Sequence, residues 1–263
     1  MSTRLPAAEP IVCDMLSDMP SNAAVPAALS PEKNLLLGRL PAADRQRFMP
    51  CFELRPFDLG TVIYESGHQM SHIYFPVDCI ISLLQVMENG DSAEIAIVGN
   101  EGLVGVALFM GGETTPSRAV VQSAGSCYRC PAGSLRTEFA RGGPVQHALL
   151  RYTQALITQM AQTAVCNRYH TIEQQFCRWL LLSLDRLTSN QLLMTQGLIA
   201  SMLGVRREGV TEVAGRLQAE GTIEYSRGHI AVLNRSNLER NVCECYGVVK
   251  KEYDRLLAGN YRD

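Results

Sequence analysis

Between Gln196 and Leu217 the chain reads QGLIASMLGVRREGVTEVAGRL, and this stretch limits the fold more than any other. Ile199, Ala200 and Leu203 give a first short helix an apolar inner face, with Ala200 small where a second helix must cross it closely. Gly204 stands where the chain reverses, a place that calls for a positive φ. Val205 fills the turn. Val210, Val213, Ala214 and Leu217 then recur at i, i+3, i+4 and i+7, so the second helix packs by one stripe. Its other side shows Arg207, Glu208, Thr211 and Glu212, with Arg206 just before it. Such a rim builds no core, and its purpose has to lie outside the fold. Small residue, turn glycine and plugging valine fall at the offsets of the helix-turn-helix motif, whose second helix enters the major groove of DNA. A helical hairpin with a merely solvated face needs none of the three.

The next residues fit this motif. Thr222 to Leu233, TIEYSRGHIAVL, alternates Ile223, Tyr225 and then Ile230, Val232 around Arg227-Gly228, which reads as a β-hairpin. A helix-turn-helix succeeded by a hairpin is a winged helix. Thr195 is placed to cap the first motif helix, whose free amides can meet a phosphate, and Gln196 beside it is a second phosphate contact. Arg227 at the hairpin tip completes the expected DNA-binding set of Thr195, Gln196, Arg206, Arg207, Glu208, Thr211, Glu212 and Arg227.

Bulk charge does not add to this. The net charge is −2, and residues 171–263 hold 12 Lys/Arg against 11 Asp/Glu, about +1. DNA binding therefore depends on where single arginines and helix N-termini sit. No apolar run approaches the roughly 18 residues of a membrane span, and the start lacks the order of a secretory signal. Nine scattered cysteines point to free thiols in a reducing compartment. The expected setting is the cytoplasm.

Residues 1–32, rich in Ala, Pro and Ser, read as a flexible tail. Pro41-Ala42-Ala43-Asp44 resembles a helix start. From Leu54 to Cys130 short strands alternate with glycines: Thr61–Tyr64, Ile73–Pro76, Ile80–Leu84, Glu94–Val98, Arg118–Ser123 and Ser126–Cys130, with a hairpin turn at Asn89-Gly90-Asp91. Strands so spaced imply a barrel or β-roll over residues 33–144. Val145 to His170 is free of glycine and proline and reads as one long helix. Leu149, Thr153, Leu156, Met160, Thr163, Asn167 and His170 fall on alternating four- and three-residue steps, the seam of a two-helix coiled coil in a homodimer. The alternative is a helix docked on its own β-roll. Ile172 to Leu187 supply a further helix, and residues 171–237 form the winged helix. Ser236 and Glu239 make a capping-box pattern, after which residues 238–263 form one helix with Leu238, Val242, Cys245, Val249, Tyr253 and Leu256 on a single stripe.

The order β-roll, long helix, winged helix resembles the Crp/Fnr family of transcription regulators, from about Leu35 to Asn237. The fold class is then α+β: an antiparallel, cyclic-nucleotide-binding-like jelly roll, a long dimerisation helix and a C-terminal winged helix-turn-helix. The resemblance is most specific at LGVRREGVTEVAGRL. It implies a homodimer on a near-palindromic stretch of double-stranded DNA, a sensory β-roll, and RNA polymerase as a partner in any activator. The Arg-Glu pair that touches base edges in such proteins matches Arg207-Glu208. The family's second arginine one turn on is replaced by Glu212, and its Thr or Ser after the pair by Gly209. Arginine's fork suits guanine O6 and N7, and a carboxylate accepts from cytosine N4. In cyclic-nucleotide-binding relatives a glutamate holds the ribose hydroxyls and an arginine the cyclic phosphate. Here Val106, after Gly105, takes the glutamate's place, and the arginine's place falls at Ser117 with Arg118 displaced by one. On a strand a shift of one turns the side chain to the other face. Cyclic AMP in its usual pose is disfavoured, and the effector assigned to Gly105, Ser117 and Arg118 is unknown.

Other motifs carry less. Cys127-x-x-Cys130 lies on a strand, where residues three apart face opposite ways. Cys243-x-Cys245 falls within the expected last helix at an unhelpful offset. His68 and His72 lack the His-x-His spacing of a cupin metal site, and His147, His170 and His229 read as packing or surface residues. No metal, no cofactor and no catalytic residue is expected. Two other readings compete with the regulator: a metal-dependent β-roll enzyme with an accessory winged helix, and an effector-binding module whose winged helix docks protein.

Overall fold

The computed structural model describes residues 29–257, so the tail expected over residues 1–32 falls mostly outside the described residues. Its last four residues are described, and the first of them is packed. Leu29 is buried and its carbonyl accepts from the Tyr128 hydroxyl at 2.5 Å, and Ser30 caps a single 3-10 turn over Pro31–Lys33. Two short helices come next, α1 (Leu35–Gly38) and α2 (Ala42–Phe48).

Seven strands then build the β-roll: β1 (Glu53–Phe57), β2 (Val62–Tyr64), β3 (His72–Pro76), β4 (Ile80–Val86), β5 (Ser92–Val98), β6 (Ser117–Ser123) and β7 (Gly125–Pro131). They pair as two antiparallel sheets, in the orders β2-β6-β4-β5 and β1-β7-β3. The β4–β5 hairpin turns at Asn89-Gly90-Asp91 as expected, with Gly90 at φ 88°. Ile80, Ile81, Ile97 and Val121 are almost wholly buried; Ile81 and Val121 are register partners on one face of their sheet, while Ile97, opposite Ser82, lies on the other. Full burial of an aliphatic side chain contributes about 1.5–3 kcal/mol, so each of these β-branched residues supports the roll.

After α3 (Ala132–Ala140) comes the long helix α4 (Gly143–Tyr169). It starts two residues before the expected Val145 because Pro144 occupies the first turn, where no N–H is needed. It ends where His170 turns extended. The seam expected to meet a partner instead faces the protein's own body. Leu149, Thr153, Leu156 and Thr163 are buried, Met160 and His170 are half-buried, and Asn167 alone is exposed. The helix carries a second apolar stripe one residue later, with Leu150 47 % and Ile157 57 % exposed. Apolar residues at both phases satisfy the same period, and the inner stripe belongs to the β-roll.

Thr171 and Gln174 form a capping box that opens α5 (Ile172–Leu184). Beyond it lie β8 (Gln191–Leu193), α6 (Gln196–Leu203), α7 (Arg207–Ala219), β9 (Ile223–Ser226) and β10 (His229–Val232). The wing gains a third strand, with the order β8-β10-β9. The C-terminal segment is two helices, α8 (Arg235–Asn241) and α9 (Glu244–Leu257), rather than one. Asn234, not Ser236, caps α8 by accepting from the Asn237 N–H, and Glu239 pairs with Arg235 at 2.9 Å. Val242 is extended and breaks the helix. Leu238, Cys245, Val249, Tyr253 and Leu256 are nonetheless all buried, because α8 lies on α5 while α9 runs along α4.

The roll and the winged helix share one core, and a buried polar chain crosses between them. The Ser82 hydroxyl lies 2.6 Å from Glu94 Oε2 and 2.7 Å from Gln122 Oε1, and Gln122 Nε2 donates to Ser183 Oγ on α5 at 3.2 Å.

Candidate nucleic-acid interface

The turn of the motif is built as its residues demand. Thr195 Oγ1 accepts from the Leu198 N–H at 3.3 Å, capping α6. Gly204 takes φ 65°, ψ 35°, where any side chain is strained, and sends the chain into α7. Val210, Val213, Ala214 and Leu217 are buried on one face of α7. Arg206, Arg207, Glu208, Thr211 and Glu212 are exposed on the other.

Those residues are not all equally free. Gln196 Oε1 accepts from Thr211 Oγ1 at 2.7 Å, tying α6 to α7. Glu212 lies 3.9 Å from Arg216, which also meets Glu173 of α5 at 3.3 Å. Arg206 and Arg207 enter none of the ion pairs found among the described residues. Gln196 and Thr211 thus meet across the motif, and the wing turn at Arg227-Gly228 lies beside the start of α6, where the Gly228 carbonyl accepts from the Met194 N–H at 2.6 Å. Arg227 and Gly228 both have positive φ, 50° and 82°, giving the two-residue turn of type I′. Arginine rarely accepts that conformation. Gly209 has a packing reason: a Cβ there would come within 2.6 Å of Ile172 Cδ1, so the glycine lets α7 lie against α5.

The sensory cavity is small. Gly105 and Ser117 line about 60 Å³ together with Tyr64, Leu83, Leu156 and Met160. Pockets for drug-sized ligands are roughly 300–1,000 Å³, so a nucleotide does not fit this space as it stands. Ser117 Oγ lies 3.0 Å from Thr115 Oγ1, and burial pushes the Tyr64 phenol above its ordinary pKa. Arg118 does not line the cavity, contrary to its assignment to the effector site. It is buried on the opposite face of β6, where its guanidinium meets Glu65 at 3.1 Å.

Two groups of residues escape a reading of the sequence. One is the polar chain around Glu94. Burial raises this carboxyl to about 8, against hydrogen bonding from Ser82 and the charges of Arg178 and Arg186. The other brings together His170 and Cys243-x-Cys245, which were expected to stand alone. Cys243 lies in the break between α8 and α9, and His170 Nδ1 lies 3.6 Å from Cys245 Sγ. With Cys166 these are the one set of His, Cys, Asp and Glu donors among the described residues close enough to share an ion. It lies outside the β-roll, so it lends nothing to a β-roll enzyme; His68 is an exposed loop residue and His72 Nδ1 bonds Ser71 Oγ at 2.8 Å.

Comparison with known proteins bears directly on this geometry. The family model for the Crp-like helix-turn-helix domain matches residues 174–241, and that for the cyclic nucleotide-binding domain matches residues 54–141. No protein of curated function matches the chain in sequence at a significant level. Solved structures do match in fold. FixK2 from Bradyrhizobium japonicum superposes with a TM-score of 0.61 at 16% identity, over 73% of this chain and 98% of that one. CLP from Xanthomonas campestris, described as a c-di-GMP-responsive global regulator, gives 0.58 at 15% identity over 73% and 99%. A CRP/FNR-family transcriptional regulator from Thermus thermophilus gives 0.55 at 21% identity over 72% and 97%. With a cyclic nucleotide-binding domain, a long helix and a Crp-like helix-turn-helix in this order, the chain belongs to the Crp/Fnr family of transcriptional regulators.

Proposed function

We propose that the protein is a cytoplasmic, sequence-specific DNA-binding transcription regulator that acts as a homodimer and is not an enzyme. One observation carries the reading: α7 buries Val210, Val213, Ala214 and Leu217 while leaving Arg206, Arg207, Glu208 and Glu212 in solvent. Arg207 reads a guanine edge, Glu208 accepts from cytosine, and Thr195, Gln196 and Arg227 hold phosphates. Thr211 positions Gln196 through their hydrogen bond.

Two copies meet along the outward stripe of α4, in which Leu150, Gln154, Ile157, Ala161, Ala164 and Arg168 are all exposed at alternating four- and three-residue steps. Their recognition helices then enter major grooves at half-sites about 34–36 Å apart. Gly105 and Ser117 belong to an effector site that widens on binding, without Arg118, and RNA polymerase is the further partner if the outcome is activation. Selection of bound duplexes from a random pool tests symmetry and spacing together. Arg207→Ala is expected to weaken the selected site by about 1–3 kcal/mol, roughly 5- to 150-fold, with a smaller loss on random duplex. Equal loss on every sequence would reduce Arg207 to a phosphate contact.

A further inference from the structure

Cys166, in the last turn of α4, and His170, which ends that helix, are brought against Cys243 and Cys245 at the break between α8 and α9. All four donor atoms lie within 4.8 Å of one another. Cys166 Sγ is 3.6 Å from Cys243 Sγ, and Cys245 Sγ is 3.6 Å from His170 Nδ1. Ligands at zinc distances from one tetrahedral centre stand about 3.8 Å apart for two thiolates and about 3.6 Å for a thiolate and an imidazole. Both measured separations match pairs of ligands on a single ion, and all four donors are within 4.8 Å of one another. A cluster with its own bridging sulfides would need the four groups spread wider.

Packing does not explain the arrangement. The three thiols are almost wholly buried, and they form a cluster of their own, separate from the aliphatic core. Two surrounding groups fit a metal. Glu244 Oε2 lies 3.4 Å from His170 Nε2, so an imidazole bound through Nδ1 has a carboxylate for its other N–H. Arg178 is buried, acts electrostatically on Cys166 and Cys245, and has no partner for its Nε. Three thiolates around a divalent ion leave one negative charge, which this guanidinium offsets.

We propose that Cys166, His170, Cys243 and Cys245 bind one zinc ion. The soft, thiolate-rich set of four protein donors suits zinc in a structural role, with no coordination position left open for catalysis. The ion would fasten the end of the long helix to the α8–α9 corner, beside the joint where α5 begins.

Full-length protein purified without chelator from zinc-supplemented cells is expected to carry about one zinc per chain. After exchange, cobalt(II) should show a thiolate charge-transfer band and the intense visible bands of a tetrahedral site. Cys245→Ser and His170→Ala should each lose the ion to a mild chelator that leaves the wild type loaded. Glu244→Gln should weaken binding by about tenfold. Cys79→Ser, away from the cluster, should retain it. Wild-type protein that takes up neither ion, a cobalt spectrum lacking thiolate ligation, full retention of zinc in both ligand variants, or a Cys166–Cys243 disulfide in protein kept reduced would each overturn the proposal. Were the ligand variants to misfold, the wild-type cobalt spectrum decides. No readout involves DNA, so failure here and failure of the regulatory reading are separate results.

Discussion

Glu94 is the place where a single atom change should raise stability. A hydroxyl has one proton, yet Ser82 Oγ stands within 2.7 Å of two acceptors, Glu94 and Gln122. A protonated Glu94 resolves this. It donates to Ser82, Ser82 donates to Gln122 Oε1, and Gln122 donates to Ser183. Burial accordingly raises the Glu94 pKa from 4.5 to about 8. Between those two values the folded state holds a proton that the unfolded state has released, so stability is full below about pH 4.5 and is lost as pH rises toward 8. The slope is about 1.4 kcal/mol per pH unit, so pH 7 stands about 3 kcal/mol below the low-pH limit. Glu94→Gln keeps a donor for Ser82 and titrates nowhere in this range. The variant should match the wild type near pH 4.5 and exceed it by about 3 kcal/mol at pH 7, roughly 6–12 °C in Tm for a chain of this size. Thermal or urea unfolding of both proteins at pH 5, 6, 7 and 8 measures the gap, and histidine titration cancels in the difference. A gap that stays constant with pH would refute the reasoning.

Two further outcomes test the assembly and the wing. Ile157→Asp, on the outward stripe of α4, should convert dimers to folded monomers in sedimentation; dimers that persist would place the seam elsewhere. Arg227→Gly relieves a left-handed arginine worth about 1 kcal/mol and should raise stability by a similar amount. It should also lower affinity for every duplex alike and flatten the salt dependence by about one counterion; unchanged binding would leave the wing tip without a DNA role.

The winged helix is legible in the sequence because its signals are local: a capping threonine, a turn glycine and one apolar stripe all lie between Thr195 and Leu217. The β-roll is legible from punctuation, with Gly90 turning its hairpin where expected. The phase of the long helix is not. Leu149 and Leu156 are each followed by another aliphatic residue, Leu150 and Ile157, so periodicity alone does not say which stripe meets the protein's own sheets. The break at Val242 escapes because the apolar spacing from Leu238 to Leu256 continues across it. Long-range pairings are beyond local reading as well: Cys245 lies 75 residues from His170. The four-residue step from Cys166 to His170 and the Cys-x-Cys pair are the available hint, visible only once the two segments are known to meet. Nor does anything local mark Glu94, whose partner Ser82 lies on β4 and is itself tied to Gln122 of β6.

Leu156 and Ile157 are consecutive residues with opposite outlooks, the first lining the small cavity and the second facing solvent. No relay of intermediate groups is required between them. A guest that displaced Leu156 by rolling or sliding the rod that carries both would carry Ile157 with it, and a neighbouring copy seated there would feel the displacement. Sensing and pairing would then be two readings of one rigid-body coordinate.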